Sequence, residues 1–428
     1  MSSSTPRTLA EWLEYQQRMH PQAIALGLER VREVWRRLGA PSPAPLVITV
    51  GGTNGKGSTV AFLEAIYAAA GKRVGAYTSP HLLRYNERAR IAGVDLADAR
   101  WIEAFERIEQ VRENIALTYF EFGTLAALWL FAQAQLDVAV LEVGLGGRLD
   151  AVNLIDADAA VVTTVDLDHQ EWLGSDRDSI GREKAGIFRR GRPAIVGSLD
   201  SPAGLLDSLS EIGALGLVAG RDYHWQRDDE RWCWHCGTAR LELSLPELAA
   251  PVQIANAATA IAVVHALRRR GGWDETAIAQ GVCHARAAAR LQRIAGDPEV
   301  FVDVAHNPQA ARALAQWLEA NPVAGRNFAV FGALGDKDVG GIAAALDRHI
   351  AQWFLAALDA DSPRGLSLAA LQARVSTGGA GAAMSGWPGV AQALDAAIAA
   401  ARPGDRIIAF GSFFVAAAAF SHLGATTD

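Results

Sequence analysis

The sequence predicts an α/β protein with two parallel sheets, and three observations lead there. Apolar, β-branched runs at 46–50, 73–77, 138–143, 159–165 and 193–197 are separated by helical stretches such as 120–135 and 178–188. Near-continuous apolar strands alternating with helices indicate a parallel sheet covered on both faces. A glycine-rich turn, Gly51-Gly-Thr-Asn-Gly-Lys-Gly-Ser-Thr59, follows the first run and leads into a helix, the usual opening of such a domain. After residue 286 the rhythm restarts at 300–304, 308–318, 328–331, 353–357 and 406–410. The expectation is a phosphate-loop, NTPase-like domain over 1–285, N-terminal helices included, and a smaller Rossmann-like α/β domain over 286–428. A chain of 428 residues suits two or three domains.

The elements follow in order. Thr8-Leu-Ala-Glu11 is a capping-box pattern that opens a helix to about His20. Leu26, Leu28, Val31, Val34, Trp35 and Leu38 recur at helical spacing, and Gly39 ends that helix. Residues 40–45 (APSPAP) form a stiff connector. The glycine turn feeds a helix over 58–70. Residues 221–246, rich in Trp and charge, end in the alternation Leu241, Leu243, Leu245 and read as an antiparallel hairpin or extension. A helix over 251–270 closes the first domain, with Arg268, Arg269 and Arg270 as its polar end.

Composition excludes several functions. Forty Lys+Arg against 47 Asp+Glu gives −7, with no basic stripe, so no nucleic-acid partner is expected. The apolar runs 125–132 and 413–420 fall short of the roughly 18 residues that span a membrane. The start, MSSSTPRTLAEW, has no apolar core of a signal peptide. Three cysteines fit a reducing compartment, so the cytoplasm is expected. Nothing resembles a long coiled coil, and the expected state is a monomer.

The strongest local signal is the loop at 51–59. Glycines let consecutive N–H groups wrap phosphate oxygens, and the helix N-terminus adds positive potential. Lys56 reaches the β- and γ-phosphates, and Ser58 or Thr59 supplies a hydroxyl. The residue after Lys56 is Gly57 rather than Ser or Thr, and the first glycine sits one position closer than in the standard pattern. Ser79 in Thr78-Ser-Pro-His81, Glu142 in Leu141-Glu-Val-Gly-Leu-Gly-Gly-Arg-Leu-Asp150, and His169 in Asp166-Leu-Asp-His169 all follow strands. Ligands sit beyond the carboxyl ends of strands in open α/β sheets, so hydroxyl, carboxylate and imidazole together suit a magnesium shell. Spacing alone reads Lys184 in Arg182-Glu-Lys-Ala-Gly-Ile187 as an exposed helix lysine. Cys233-Trp-His-Cys236 lies in an expected strand, where i and i+3 face opposite sides, and Cys283 with His284 is far along the chain. This CxxC reads as structural. In the second half, Asp303-Val-Ala-His306-Asn-Pro308, GALGDKD at 332–338 and Gly411-Ser-Phe413 put polar groups at three strand ends.

In order, GTNGKGST, TSPHL, EVGLGGRLD, DHQEWLG, REKAGIF, ARLQ, DVAHNP and GDKD make a specific set. The chain resembles the folylpolyglutamate synthase/dihydrofolate synthase family of the Mur ligase superfamily, from about Leu26 to Phe413. The resemblance implies an ATP-binding Mur ligase-like domain and a Mur ligase-like C-terminal domain. It implies an ATP-dependent ligase that joins L-glutamate to a pterin-type carboxylate. Asn54, Gly55, Lys56, Gly57 and Ser58 then hold ATP, with Asn256, Arg290, Asp303 and His306. Ser79, Glu142 and His169 resemble magnesium ligands, and two Mg2+ sites are implied. Lys184 resembles a lysine carbamylated by CO2 that helps hold the second metal, which reverses the reading from spacing. Lys56, Lys184 and His306 are the implied catalytic set.

Phe120, Leu149, Asp150 and Ala151 match positions that the bifunctional bacterial branch uses for dihydropteroate; residues 23–25 match a third contact in position only. The implied reactions are dihydropteroate to dihydrofolate, and reduced folates to polyglutamates. By analogy with Mur ligases, Lys337 and Ser412 are the glutamate contacts. The rivals are a synthase of polyglutamates alone, another Mur-type amide ligase, an ATPase switch without ligase chemistry, and a CxxC redox protein. A UDP-muramyl peptide ligase is disfavoured because little chain precedes the loop at Gly51.

Overall fold

The computed structural model describes residues 6–22, 24–228, 230–379 and 381–426. They form two compact units. One runs to Pro246 and resumes over Ile254–Ala285; the other comprises Glu247–Gln253 and the chain from Arg286.

The strands of the first unit are β1 (Leu46–Gly51), β2 (Val74–Tyr77), β3 (Ala89–Ile91), β4 (Val94–Asp95), β5 (Val138–Glu142), β6 (Ala159–Val162), β7 (Pro193–Val196) and β8 (Leu215–Val218). They form one sheet in the order β4-β3-β2-β5-β1-β6-β7-β8. From β2 to β8 every pairing is parallel. β3 and β4 pair antiparallel, so the sheet is mixed rather than purely parallel as the sequence suggested. β3, β4 and β8 are short, and each carries a charged or exposed residue, so they lack the buried apolar run that marks a central strand.

Alternate strand residues point to opposite sides of the sheet. On one face Tyr77, Ala139 and Leu141 pack with Trp12, Trp35, Trp101, Phe105, Phe122 and Phe131. These come from helices Leu9–Met19, Glu29–Arg37, Asp98–Arg112 and Tyr119–Gln133. Further along the same face, where Leu141, Thr49, Ala160 and Ala194 are in register, Ala160, Val162, Ala194 and Val196 meet Ile180, Ile187 and Leu205. The first helix carries the expected capping box, with Thr8 Oγ1 accepting from the Glu11 amide at 3.3 Å and Glu11 accepting from the Thr8 amide at 3.1 Å.

Residues 221–246 contain a three-stranded antiparallel sheet of β9 (His224–Arg227), β10 (Arg231–Cys236) and β11 (Ala239–Ser244). Trp232 and Trp234 are its buried anchors. The helix expected over 251–270 divides into Val252–Ala266 and a single turn, Arg268–Gly271, ended by Gly272 at φ +85°.

The second unit holds β12 (Gln292–Gly296), β13 (Glu299–Val302), β14 (Asn327–Phe331), β15 (Gln352–Ala356), β16 (Ala383–Trp387) and β17 (Arg406–Phe410). Their order is β12-β13-β17-β14-β15-β16, with only β12 antiparallel. β12 and β16, at the edges, are polar or glycine-containing and went unread.

Candidate active site

The strand order explains why distant motifs meet. β2, β5, β1 and β6 are consecutive neighbours, all parallel. Their carboxyl ends lead to Ser79, Glu142, the glycine loop and the 166–169 segment respectively.

The loop has a fixed shape. Gly55 takes φ +85° and lets the helix Lys56–Ala69 begin two residues earlier than expected. No side chain caps that helix, so its first-turn amides are directed at whatever the loop binds. A Cβ on Gly52 would lie 1.9 Å from Thr163 Oγ1, and one on Gly55 would lie 2.5 Å from Asn256 Oδ1. Asn256 is therefore seated against the loop, with Gly57 and the buried Ser58 in the helix start beneath it. Thr163 and Thr164 brace the loop: Thr163 Oγ1 donates to Asn54 O at 2.7 Å, and Thr164 Oγ1 accepts from the Asn54 amide at 2.9 Å. Lys56 Nζ lies over the loop, donating to the carbonyls of Gly52 and Thr53 at 3.0 and 3.1 Å.

Glu142 is buried, and its carboxylate accepts from the Ser79 amide at 3.1 Å. His169 is half-buried at φ +52°, its amide donating to Asp168 Oδ1 at 2.9 Å. A buried carboxylate, a serine hydroxyl and an imidazole beside a phosphate loop form a donor set that fits a hard divalent cation.

Lys184 corrects the reading from spacing. It is 4% exposed, not a surface lysine. The reason is local packing: a Cβ on Gly147 would lie 2.8 Å from Lys184 O, so the glycine-rich segment after β5 lies directly on the backbone of helix Arg177–Ala185. Burial, with the positive charge of Lys56, lowers the Lys184 amine to about 7; Asp168 and Asp150 pull the other way. Asp150 is buried too. Burial raises its carboxyl to about 6, against backbone amides and Lys56. Its oxygens accept from the amides of Leu145 at 2.8 Å and Val152 at 2.9 Å, so it also shapes the loop that precedes Ala151.

Phe120, Leu149, Asp150 and Ala151 are gathered at the same end of the sheet. A Cβ on Gly144 would lie 2.5 Å from Phe120 Cζ, so that ring covers the start of the 144–150 segment. Of residues 23–25, Ala23 lies outside the described residues. Gly27 donates to Leu149 O at 3.3 Å.

Sequence reasoning missed Arg88. It is 8% exposed, and its guanidinium stacks 5.3 Å from the Tyr85 ring and 5.4 Å from the Tyr119 ring. It donates to His81 Nδ1 at 2.9 Å. Burial, then the Arg88 charge, lowers His81 to about 4, which keeps the ring a neutral acceptor. Asn86-Glu-Arg88 reads as an ordinary polar turn, and only the fold buries it.

In the second unit Asp303 follows β13, the 332–338 segment follows β14 and Ser412 follows β17. Burial pushes the Asp303 carboxyl up, while Arg290, the amides of Ala305 and Leu291, and His306 pull it down. Arg290 is flanked by Ala289 and Leu291 at φ +52° and +56°, left-handed conformations that non-glycine residues hold only where surrounding structure enforces them. His306 Nδ1 lies 2.8 Å from Val304 O. Lys337 is buried, with Nζ 3.3 Å from Asp336 Oδ2. Ser412 is buried and caps helix Phe413–Leu423, accepting from the Val415 amide at 3.1 Å. Cys233 and Cys236 are free thiols on β10, three residues apart and so on opposite faces. Among the described residues no helix is long and apolar enough to cross a membrane.

Residues 50–264 match the Mur ligase middle domain, and residues 289–413 match the Mur ligase glutamate ligase domain. A dihydrofolate synthase/folylpolyglutamate synthase of Escherichia coli K12 is 48% identical over 96% of this chain and 94% of its own length. The solved structure of E. coli FolC with DHPP and ADP has 46% identity and a TM-score of 0.92, covering 98% of this chain and 99% of that one. A bifunctional folylpolyglutamate synthase/dihydrofolate synthase with Mn, AMPPNP and L-glutamate bound has 44% identity and a TM-score of 0.90, over 99% and 100%. The chain belongs to the Mur ligase family, in its dihydrofolate synthase/folylpolyglutamate synthase branch.

Proposed function

We propose that this Mur ligase is an ATP-dependent enzyme that adds L-glutamate to dihydropteroate, giving dihydrofolate, and to reduced folates, giving polyglutamates. One observation carries the reading. A braced phosphate loop, the Ser79–Glu142 pair and a buried lysine meet an apolar wall of Phe120, Leu149 and Ala151 at one end of one sheet.

A carboxylate does not condense with an amine in water, because its oxygen is a poor leaving group. ATP changes that. A substrate carboxylate oxygen attacks the γ-phosphorus, the bond to the β-phosphate oxygen breaks, and ADP leaves behind an acyl phosphate. The glutamate amine then attacks the acyl carbon and inorganic phosphate departs. The first step crowds negative charge. The amides of residues 54–58 and the Lys56 ammonium offset it from fixed positions, which avoids reorganisation during reaction. Ser79, Glu142 and His169 would hold a divalent cation, and when bound it supplies further neutralisation of triphosphate and carboxylate. Asn256 is seated against the loop and contacts the nucleotide, and the resemblance also assigns nucleotide contacts to Arg290, Asp303 and His306. Phe120 stacks on the pterin ring, and Asp150 accepts from it through lone pairs that the Leu145 and Val152 amides leave over. Arg88, a buried cation held between two tyrosine rings, faces a substrate carboxylate. Lys337 is the glutamate contact; Ser412 would contribute only its hydroxyl proton, since its oxygen caps a helix.

Lys184 is suited to carbamylation. CO2 adds to a neutral amine, forming an N–C bond and releasing a proton. With the amine lowered to about 7, about half is neutral at pH 7, against almost none for an ordinary lysine near 10.4. The carbamate would be an additional oxygen donor for a second metal.

The test is ATP-dependent phosphate release with L-glutamate, run with dihydropteroate and with a reduced folate. A mass gain of one glutamate on both supports the bifunctional reading. A gain on reduced folate alone leaves a polyglutamate synthase. Release that needs neither substrate leaves an ATPase switch.

A further inference from the structure

Arg30 sits in the first turn of helix Glu29–Arg37, in a segment that carries none of the motifs above. Its side chain makes a fork onto Glu121. Nη2 lies 2.8 Å from Oε1, and Nε lies 3.1 and 3.3 Å from Oε1 and Oε2. The same Nη2 donates to the carbonyl of Ala25 at 2.6 Å. Glu121 is almost fully buried, with 4% of its side chain exposed, against 29% for Arg30. Its Oε2 also accepts from the Thr118 amide at 2.7 Å, and Thr118 Oγ1 accepts from the Glu121 amide at 3.2 Å. This is the capping box of helix Tyr119–Gln133, whose first turn carries Phe120.

One guanidinium thus joins two things: the chain before its own helix, and the cap that sets the direction of Phe120. The chain between them is tied once more, by Gly27 to Leu149 O at 3.3 Å. Gly27 is at φ +146°, a conformation that side-chain-bearing residues rarely adopt, so the second tie falls on a position that favours glycine. The 25–27 segment is therefore linked to the Phe120 turn through Arg30 and Glu121, and to Leu149 through Gly27.

We propose that Arg30 is a positioning residue that closes the pterin pocket, fixing the 25–27 segment and Phe120 as opposing walls through the Glu121 carboxylate. The claim rests on the functional reading given above, since it takes Phe120 and Leu149 as pterin contacts. Arg30 touches neither ATP nor glutamate in this scheme. Its loss should therefore appear in the binding of the pterin substrate and leave the other two substrates alone. A lysine at this position keeps the charge but has no planar fork, and cannot reach Glu121 and Ala25 together.

The experiment uses the full chain and three variants: Arg30→Lys, Arg30→Ala, and the double variant Arg30→Gln/Glu121→Gln, which removes the pair without leaving a lone buried charge. Steady-state constants are measured for dihydropteroate, ATP and L-glutamate, beside thermal midpoints and hydrogen exchange at the Gly27 amide. The expected result for Arg30→Lys is a KM for dihydropteroate raised roughly tenfold, with kcat and the other two KM values within about twofold. Gly27 should exchange faster, and added guanidinium should restore the KM of Arg30→Ala. The proposal is overturned if all three KM values move together with the midpoint, because that marks a merely structural ion pair. It is overturned equally if Gly27 exchange is unchanged in the double variant. A wild-type chain that glutamylates neither dihydropteroate nor a reduced folate removes the functional reading, and a wild type active only on reduced folate moves the same KM test to that substrate.

Discussion

The two units place polar residues at the ends of parallel strands in the same way, but put them to different use. In the first unit the strand-end side chains turn toward one another: Glu142 meets the Ser79 amide, and the charges of Lys56 and Asp150 bear on Lys184. In the second, several equivalent residues are absorbed by the fold. Asn307, Asp338 and Ser412 each cap the helix that follows, accepting from the amides of Ala310, Gly341 and Val415. A polar residue after a strand thus faces its neighbours at several places in the first sheet and starts the next helix at several places in the second. What separates the cases is whether a helix amide claims the side chain first.

The largest effect expected from this contrast is at Lys56. Lys56→Ala should lower kcat by roughly 100-fold or more, with the thermal midpoint nearly unchanged, because the ammonium lies over the loop, on the carbonyls of Gly52 and Thr53, where charge develops. Single-turnover ADP formation checks it.

Lys184 comes next, and it carries a sign. Its amine is lowered in the folded protein to about 7, so between about 7 and 10.5 the unfolded chain binds the extra proton. Stability contributed by this site is therefore lowest below pH 7 and recovers as pH rises toward 10.5. In CO2-free buffer, Lys184→Met should melt above wild type at pH 6, and the gap should narrow toward pH 10. The same substitution should abolish ligase activity, and wild-type activity with bicarbonate should climb as pH rises through about 7. A variant that melts below wild type at pH 6 would break the picture of a buried, reluctant cation.

A matched pair of serines sharpens the comparison directly. Ser79→Ala should raise the metal concentration needed for half-maximal activity by roughly tenfold and leave stability nearly unchanged. Ser412→Ala should cost about 1 kcal/mol of stability through the lost cap, with kcat and metal dependence within about twofold and only the KM for glutamate raised. Urea unfolding and metal titration of both variants read the two axes. The smallest effect is expected at Cys233→Ser, where activity should stay within about twofold; a large loss would revive the redox reading.

Much of this was legible in the chain, for identifiable reasons. The central strands are apolar runs, the phosphate loop is a local pattern of glycines, and the Thr8–Glu11 capping box spans one helical turn, so short windows suffice. The burial of Lys184 was not legible. It depends on Gly147 lying against a helix some forty positions on, which no local pattern announces. Arg88 and the Arg30–Glu121 fork failed for a related reason: a charged residue in a polar turn looks solvated until the fold covers it. The edge strands β12 and β16 escaped because an edge need not be apolar.

Trp172 gives the loop after β6 an optical handle. Most tryptophans of this chain lie in its cores, with Trp12, Trp101, Trp232, Trp234 and Trp353 essentially inaccessible. Among the described tryptophans Trp172 is the most exposed, at 38%, and its amide donates to the carbonyl of His169 at 2.9 Å. Collisional quenchers therefore reach this indole most readily, three residues from the imidazole that would hold metal. Without any label, the emission of the native chain can report occupancy of that loop in real time.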